Sequence, residues 1–377
     1  MRRERILVVG ASIAGVTAAA SIRAEGWAGA LTVIGDELAP PYSRVPLSKG
    51  VLAGTHDAST ASLPALPDDV DLRLGSAAVG LRTGSREVLL ADGSVIGYDG
   101  LVIATGARAK RLAIEGQDGE LVVRDVKDAA RIAELLPAAS SAIVVGGGFL
   151  GMEVGSTLRN HGMTVTVVGR EPPLLRMLGP WLSEYIRAAA EESGVRLTLA
   201  AGDVELHGHP VAGVLTGEER VEQADLVISA AGDIPNTEWL QGSGLRITNG
   251  VVVDEYCRAS PDIVAAGDVV SREVSPGVFR RTPHWSNAVA QARAAAVALL
   301  RADAPAFAPD HYFWTEQYGL DIKIAGELPL LGAPQVVDGD PALRSALLRW
   351  TDDGRTTAVV AVNYRMPAAR LRAMLSA

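Results

Sequence analysis

The most informative stretch of this chain is ILVVGASIAGVTAAASIRAEGWAGALTVIGDE at residues 6–37, because its pattern returns as IVVGGGFLGMEVGSTLRNHGMTVTVVGRE at residues 143–171. Each copy reads as a short apolar strand, a glycine-rich turn, a helix, a second strand and a charged residue. One such turn alone is weakly informative, since glycines also mark ordinary turns, but the whole series occurring twice is specific. We therefore predict two dinucleotide-binding units and hydride transfer between their ligands.

The glycines of each copy have different tasks. Gly10 and Gly146 end the first strand and permit a tight turn, whereas Gly15 and Gly151 let the helix pack close to that strand. We expect a pyrophosphate on each helix N-terminus, where unpaired N–H groups and the helix dipole favour anions. The first copy carries Ser12 at the middle glycine position, which suits a phosphate if the hydroxyl points away or donates to it.

Length and composition describe a turn-rich globular α/β protein. The 377 residues are enough for two or three domains, and 48% of them are hydrophobic, with 40 glycines and 20 prolines. The net charge of −9 argues against a nucleic-acid partner and against a membrane surface. No apolar run reaches transmembrane length, and MRRERILVVG leads directly into the first strand, so we expect no signal peptide and a cytoplasmic location.

The single cysteine, Cys257, limits the redox chemistry. A redox-active dithiol needs two cysteines, and an iron–sulfur or zinc site needs several ligands. His207 and His209 lie in the loop-like HGHP without further ligands nearby, so no metal site is predicted. Cys257 itself follows the strand-like VVVDEY and is expected to be a buried or half-buried small residue.

Three further stretches predict ligand contacts. PPYSRVPLSKGVLAG is too rich in proline and glycine for a long helix, and it supplies two cations, Arg44 and Lys49, that suit a neighbouring pyrophosphate. LVIATGARAKRL ends a buried strand in a turn of small residues, through which backbone can approach a ligand. Gly267 and Asp268, in AAGDVVS, place a carboxylate at another strand end.

The order of these segments predicts an α/β fold with two Rossmann-like dinucleotide-binding domains and a small C-terminal α+β domain. Residues 1–110 and 235–310 form the first domain, residues 111–234 are inserted as the second, and residues 311–377 form the third.

The chain resembles, from end to end, the FAD-dependent NAD(P)H:ferredoxin reductases of cytochrome P450 and ring-hydroxylating oxygenase systems, whose glutathione-reductase-like fold is shared with apoptosis-inducing-factor-like proteins. The most specific pieces are PPYSRVPLSKGVLAG, LVIATGARAKRL, VVGGGFLGMEV, AAGDVVS with HWSNAVAQA, and YFWTEQYGLDIKIAG. The resemblance implies one non-covalent FAD in the first domain, NADPH or NADH in the second, and a [2Fe-2S] ferredoxin as acceptor. That ferredoxin would in turn supply an oxygenase.

The resemblance also assigns residues to the ligands. Asp36 or Glu37 would bind the ribose hydroxyls of FAD, the backbone at Ala78 would meet the adenine, Asp268 would bind the ribitol, and Trp285 would touch the isoalloxazine. The implied FAD-binding residues are Gly10, Ser12, Ile13, Ala14, Gly15, Asp36, Glu37, Arg44, Lys49, Ala78, Ala104, Thr105, Gly106, Arg124, Gly267, Asp268 and Trp285. The implied nicotinamide-nucleotide residues are Gly146, Gly148, Phe149, Leu150, Gly151, Glu153, Arg170, Glu171, Arg176 and Gly232.

Three residues are assigned to the chemistry by the same resemblance. Glu153 would reach the nicotinamide region near Lys49, and Trp314 would lie on the side of the flavin from which electrons leave. A Lys49–Glu153 pair near the reacting rings can stabilise reduced flavin and orient the carboxamide. An ion pair that merely joins two domains is an equally good interpretation of these two residues.

The choice of nicotinamide nucleotide depends on the end of the second strand. VGRE, residues 168–171, has Gly169 and Arg170 where NADH-using relatives usually carry an acid. Arg170 and Arg176 suit a 2′-phosphate, whereas Glu171 suits ribose hydroxyls. We predict that NADPH is used at least as well as NADH, with a solvated Arg170 as the alternative.

The C-terminal end is basic within an acidic protein, which predicts where an acidic ferredoxin docks. Residues 343–377 contain six arginines against two aspartates: Arg344, Arg349, Arg355, Arg365, Arg370 and Arg372 against Asp352 and Asp353. For any single arginine, a solvated position without a partner is the simpler interpretation.

Two other functions stay open. One is a flavoprotein whose reduced state is read by partner binding, as in apoptosis-inducing-factor-like proteins, although the sequence has no long disordered or strongly basic interaction segment. The other is a reductase or oxidase that acts directly on a small molecule or on oxygen. The cysteine count excludes only those enzymes of this second kind that cycle through cysteine.

Overall fold

The structure of the protein, a computed structural model, describes residues 3–56, 61–217 and 221–375. Its residues form two compact units. The first unit comprises residues 3–43, 61–108 and 234–310, and the second comprises residues 44–56, 109–217, 221–233 and 311–375.

The helices and strands follow one another along the chain as the repeated pattern predicts. The strands are β1 Arg5–Val9, β2 Ala30–Ile34, β3 Asp71–Arg73, β4 Ala78–Arg82, β5 Glu87–Leu90, β6 Val95–Gly97, β7 Gly100–Ile103, β8 Ala107–Ala109, β9 Leu121–Val122, β10 Ser141–Val145, β11 Thr164–Gly169, β12 Arg196–Leu199, β13 Val204–His207, β14 Gly213–Thr216, β15 Val221–Gln223, β16 Leu226–Ser229, β17 Asp233–Pro235, β18 Ile247–Thr248, β19 Gly250–Val253, β20 Arg258–Ser260, β21 Ile263–Ala265, β22 Val270–Ser275, β23 Val278–Arg280, β24 Tyr312–Gln317, β25 Leu320–Gly326, β26 Gln335–Asp340, β27 Ser345–Asp352 and β28 Arg355–Val362. The α-helices are α1 Ile13–Ala24, α2 Val126–Leu135, α3 Phe149–Asn160, α4 Leu175–Leu178, α5 Pro180–Glu192, α6 Trp285–Leu300 and α7 Ala368–Ala373.

The first unit is built on a six-stranded sheet in the order β20-β21-β7-β1-β2-β3. Strand β1 pairs in parallel with β2 on one side and β7 on the other. Its apolar residues serve two cores, because Ile6 and Val8 pack with helices α1 and α6 while Leu7 and Val9 pack on the opposite face. Burial of both faces explains the unbroken apolar run of β1. The carboxyl ends of β1, β7 and β21 consequently meet at one edge of this sheet.

The second unit repeats this plan. Its parallel sheet has the order β12-β11-β10-β16-β9, with β10 paired to β11 and β16. Ile143 and Val145 of β10 pack against Val168 and Val227 in one core cluster. The antiparallel hairpins β13-β14-β15 follow β12.

A second sheet of the same unit is formed by the C-terminal residues. It is antiparallel in the order β24-β25-β28-β27-β26, and its core joins Ala325, Leu347, Val359 and Ala361 to Leu371 of α7. Strand β24 lies against helix α3, where the rings of Phe313 and Phe149 are 4.1 Å apart. The structure therefore groups the C-terminal residues with the second dinucleotide unit.

The α/β fold and the C-terminal sheet are confirmed. The loop at residues 40–54 has no long helix, as expected, and contains the 3-10 turn Val45–Ser48. The division into three domains stays a prediction. In the part of the chain that the structure describes, no helix is long and apolar enough to cross a membrane.

Candidate active site

The two glycine turns have nearly the same geometry. Gly10 and Gly146 have φ of +117° and +126°, a region that favours glycine. A Cβ at Gly15 would stand 1.7 Å from the Gly10 carbonyl oxygen, and one at Gly151 would stand 1.9 Å from that of Gly146. No side chain fits at either helix position, and each helix begins directly behind its turn, at Ile13 and Phe149.

Ser12 takes the place of a glycine without backbone strain. It has φ −99° and ψ −168°, and Gly148, its counterpart, has φ −80° and ψ −178°. This extended backbone is open to any residue, and the Ser12 hydroxyl makes no capping hydrogen bond to its helix. The departure from the glycine pattern is thus compatible with the turn.

The strand ends of the first unit bring four of the predicted FAD-binding residues together. A Cβ at Gly10 would lie 2.1 Å from the Ala104 carbonyl oxygen, and one at Gly267 would lie 3.0 Å from the Ala14 side chain. Gln291 of α6, which sequence reasoning missed, holds this edge, since its buried Oε1 accepts a hydrogen bond from the Gly267 N–H at 2.9 Å. No sequence motif marks Gln291, which lies one helical turn beyond the buried Asn287 on the inward face of α6.

A second missed residue anchors the turn after β7. Asn236 Nδ2 donates to the Thr105 carbonyl oxygen at 2.8 Å, and the Thr105 hydroxyl donates to the Asn236 carbonyl oxygen at 2.8 Å. The Asn236 N–H also donates to the Gly106 carbonyl oxygen. Proline and asparagine in DIPNT are the sequence signal for this turn, because both residue types are favoured in turns.

The remaining predicted residues of the first unit lie near the ends of their elements. Asp36 is exposed, while Glu37 accepts a hydrogen bond from the Tyr42 hydroxyl at 2.6 Å. The Asp268 carbonyl oxygen accepts from Arg281 at 3.0 Å. The first residues of their elements are Ile13 in α1, Ala78 in β4 and Trp285 in α6.

The turn of the second unit is equally close to its neighbouring strand. A Cβ at Gly146 would lie 2.3 Å from the carbonyl oxygen of Ala230, just after β16, and Gly232 follows with φ +106°. Phe149 and Leu150 are the first two residues of α3, directly behind the turn.

The charged residues after β11 lie at the surface. The Arg170 guanidinium is 67% exposed and lies 3.6 Å from Asp203, whereas Arg176 Nε donates to Glu171 at 2.5 Å. Exposed ion pairs of this kind contribute little to stability. Arg170 therefore keeps its charge accessible, and Glu171 is engaged by the second cation.

The structure brings Lys49 and Glu153 together. The Lys49 ammonium lies 2.7 Å from Glu153 Oε2, and the Ser48 hydroxyl donates to the same oxygen at 2.8 Å. Glu153 is 8% exposed, so this is a largely buried ion pair on helix α3. Ser48 was not singled out from the sequence, although it adjoins Lys49 in PLSKG.

Further predicted residues of the second unit also have specific contacts, namely the cations Arg44 and Arg124 and the aromatic residue Trp314. Arg44 donates to the Arg124 carbonyl oxygen at 2.8 Å, which joins two of the predicted FAD-binding cations. Trp314 stacks on Tyr312 with ring centroids 6.0 Å apart, and the Arg372 guanidinium lies 4.5 Å above the Tyr312 ring. A basic side chain of α7 thus adjoins the aromatic face of β24.

The only cysteine of the sequence, Cys257, is unreactive in this fold. Cys257 is fully buried, and burial raises the pKa of its thiol to about 12. The thiol therefore stays protonated at neutral pH and cannot act as a nucleophile. Among residues 3–56, 61–217 and 221–375, no group of three or more His, Cys, Asp or Glu is placed to hold a metal ion.

Two units with dinucleotide-binding glycine turns, the second carrying the buried Lys49–Glu153 pair, indicate an oxidoreductase that binds two nucleotides. The family model described as pyridine nucleotide-disulphide oxidoreductase matches residues 4–292, and the model described as reductase C-terminal matches residues 312–377. The chain belongs to the pyridine nucleotide-disulphide oxidoreductase family. Within that family its buried single cysteine leaves no disulphide partner.

Similar proteins include several reductases. Rhodocoxin reductase of Rhodococcus erythropolis is 36% identical over 85% of this chain and 78% of the relative. The ferredoxin–NAD(+) reductase component of the biphenyl dioxygenase system of Paraburkholderia xenovorans is 34% identical over 96% of this chain and 90% of the relative. The crystal structure of the covalent putidaredoxin reductase–putidaredoxin complex contains a chain that superposes with a TM-score of 0.85 at 29% identity, covering 96% of this chain and 90% of that one.

Proposed function

We propose that the protein binds one FAD non-covalently through its first unit and NADH or NADPH through its second, and passes electrons to a [2Fe-2S] ferredoxin that supplies a monooxygenase or dioxygenase. The observation that carries this proposal is the pair of equivalent dinucleotide turns in a chain whose one cysteine is buried. Electrons then have to leave the flavin without a disulphide relay. The names of the similar rhodocoxin and biphenyl dioxygenase reductases support the same acceptor class.

The residues of the first unit fit FAD. A Cβ at Gly10, Gly15 or Gly267 would lie 3.0 Å or less from other protein atoms, so these positions require glycine to keep the compact turn that presents a helix N-terminus to a pyrophosphate. Glycine and serine at the turn leave room for the diphosphate, and Asp36 and Glu37 at the end of β2 supply acceptors for ribose hydroxyls. Bound FAD supplies a hydride acceptor that can release its two electrons one at a time.

The protein contributes orientation and charge. Glu153 holds the Lys49 ammonium in a fixed place at 2.7 Å, so that one positive charge stays near the second turn in a poorly hydrated environment. A positive charge held in this way stabilises an anion that forms nearby and orients polar groups of the nucleotide. No acid–base residue is required by a hydride transfer.

The C-terminal sheet is proposed as the surface from which electrons leave. Trp314, Tyr312 and Arg372 lie in series on β24 and α7, and the arginine-rich terminus would attract an acidic ferredoxin. We propose a cytoplasmic location for this reaction, as expected from the sequence.

The test is a comparison of electron acceptors. Purified protein should be yellow and release FAD on denaturation, and NAD(P)H turnover with a [2Fe-2S] ferredoxin should exceed turnover with dioxygen, quinone and monodehydroascorbate. Release of FMN, or no flavin after reconstitution, would overturn the cofactor assignment. Faster turnover with dioxygen or a small molecule would instead make the protein an oxidase or a small-molecule reductase.

A further inference from the structure

We propose that Thr315, with its hydroxyl oriented by Gln317, is a positioning residue for Glu153 and through it for the Lys49 ammonium. This inference rests on the proposed function, because it concerns how the C-terminal sheet prepares the Lys49–Glu153 pair for hydride transfer. It assigns to the residues after 311 a part in the reductive half-reaction as well as in electron exit.

The two oxygens of the Glu153 carboxylate have different donors. Lys49 and Ser48 both donate to Oε2, whereas the Thr315 hydroxyl donates to Oε1 at 2.8 Å. If only Oε2 accepted hydrogen bonds, the carboxylate group could still pivot about that oxygen. The hydrogen bond on Oε1 removes that freedom, so Thr315 determines the plane of the carboxylate.

The direction of the two hydrogen bonds that link Gln317, Thr315 and Glu153 follows from which of these groups can donate a proton. The Gln317 amide nitrogen, which only donates, lies 3.0 Å from the Thr315 hydroxyl oxygen. The ionised Glu153 carboxylate only accepts, so the single hydroxyl proton of Thr315 goes to Glu153. With Gln317 on its lone pair, this hydroxyl cannot rotate to another partner.

Burial makes these contacts difficult to replace with water. Thr315 is 0% exposed, Gln317 is 3% exposed, and Gln317 Oε1 has no hydrogen-bond partner in the described structure. Hydrogen bonds in such surroundings are stronger than in water, and a carboxylate oxygen that loses its donor there has no substitute.

The strand that carries Thr315 is itself fixed on helix α3. Residues 313, 315 and 317 lie on one face of β24 because side chains alternate along a strand. At one end the Phe313 ring packs on Phe149, and beyond the other end the Tyr318 N–H donates to the Ser156 hydroxyl at 2.7 Å. Anchors on both sides hold the Thr315 hydroxyl at Glu153.

The experiment uses the holoenzyme with three variants. Thr315→Val keeps the shape of the side chain and removes the hydroxyl, and Thr315→Ser restores the hydroxyl. Thr356→Val is the matched control, since Thr356 is a buried threonine on β28 of the same sheet that has no described contact with Glu153. The limiting rate of flavin reduction and the nucleotide KM are measured anaerobically, together with FAD content and the flavin midpoint potential.

We expect Thr315→Val to lower the limiting rate about tenfold, the equivalent of one lost charge-assisted hydrogen bond, with KM changed less than about twofold. The midpoint potential should shift, because the Lys49 charge is no longer held in one place. Thr315→Ser should recover the rate to within about threefold of wild type, and Thr356→Val should leave rate and potential unchanged.

A wild-type rate in Thr315→Val, or an equal loss in Thr315→Ser, would overturn the proposal, since the first shows that the hydroxyl is not needed and the second that packing matters instead. If Thr315→Val does not fold, Gln317→Leu provides the second test, with a smaller loss of about threefold expected and a wild-type rate contradicting the proposal. An unfolding double-mutant cycle between Thr315→Val and Glu153→Gln measures the contact without any activity. A wild type that holds no flavin contradicts the proposed function, whereas a cycle without coupling contradicts only this inference.

Discussion

The two dinucleotide units have the same turn and different helices behind it. Gly10 and Gly146, like Gly15 and Gly151, occupy equivalent backbone positions with nearly equal distances. Helix α1, however, buries only alanine, glycine, valine and isoleucine, and it packs on α6. Helix α3 also buries Glu153, Ser156 and Thr157.

This difference lies at one equivalent position of the two helices. Glu153 is the fifth residue of α3, and the fifth residue of α1 is the half-buried Thr17. A turn with an open helix N-terminus is enough to hold a diphosphate, and both units have one. In the described residues, helix α3 holds the buried Lys49–Glu153 ion pair, whereas helix α1 has no acid at the equivalent position.

The largest effects are expected where the two units agree. Gly15→Ala should abolish FAD binding and Gly151→Ala should abolish flavin reduction by NAD(P)H while FAD stays bound, because each new Cβ would overlap a backbone carbonyl oxygen within 2 Å. We expect a cost of about 4 kcal/mol or more at the altered turn. FAD content after denaturation and nucleotide titration of the flavin distinguish the two.

The matched control for these variants is Gly148→Ser, which makes the second turn like the first. It should bind nucleotide within about threefold of wild type, because the backbone there is extended. Loss of both ligands in each alanine variant would mean that the turns support the whole fold and not one ligand each.

The second-largest effect, on the rate of flavin reduction, is expected at Glu153, where the two units differ. Glu153→Gln leaves the Lys49 ammonium buried without its carboxylate, and we expect flavin reduction to slow about a hundredfold, that is about 2.7 kcal/mol. Thr17→Val, at the equivalent position of α1, should stay within about twofold. Stopped-flow reduction at saturating nucleotide measures both. Equal rates in the two variants would reduce the Lys49–Glu153 pair to a structural contact.

A smaller effect concerns the charged residue after the second strand of each unit. The first unit has acids there and the second has Arg170, whose guanidinium is exposed. Arg170→Ala should lower kcat/KM for NADPH by about one to two decades and leave NADH unchanged, since a charge-assisted phosphate contact contributes about 1.5 to 3 kcal/mol. Arg187→Ala is the control, because this surface arginine of α5 is engaged by Glu184 and Glu191 and lies outside the predicted nucleotide-binding residues. An equal loss with both nucleotides would give Arg170 a structural role.

The smallest effect extends the comparison to the C-terminal sheet. Trp314→Ala should slow ferredoxin reduction roughly three- to tenfold more than flavin reduction by NAD(P)H, at unchanged FAD content. Raising the ionic strength should weaken ferredoxin reduction and affect ferricyanide reduction much less, since many complementary charges contribute together to the docking of a protein acceptor. If salt affects both acceptors alike and the variant loses hydride transfer first, electrons leave through another surface.

Sequence patterns alone predict the two dinucleotide units, the unbroken core strands and the loop at residues 40–54 without a long helix. These features depend on local physics, because a glycine at positive φ, a parallel strand buried on both faces and a proline-rich turn each have a short pattern. The buried Cys257 and the Lys49–Glu153 proximity were also predicted, the latter through a resemblance over the whole chain.

Several polar side chains of the candidate site are identified by tertiary contacts and by no local sequence pattern. Five such residues lie outside the glycine patterns: Gln291, Asn236, Ser48, Thr315 and Gln317. Thr315 lies 162 residues along the chain from the Glu153 that it contacts. A hydroxyl or amide becomes specific when folding buries it opposite one acceptor and removes the water that would compete for it. Such a pairing is a property of where β24 meets α3, and no short stretch of sequence contains both.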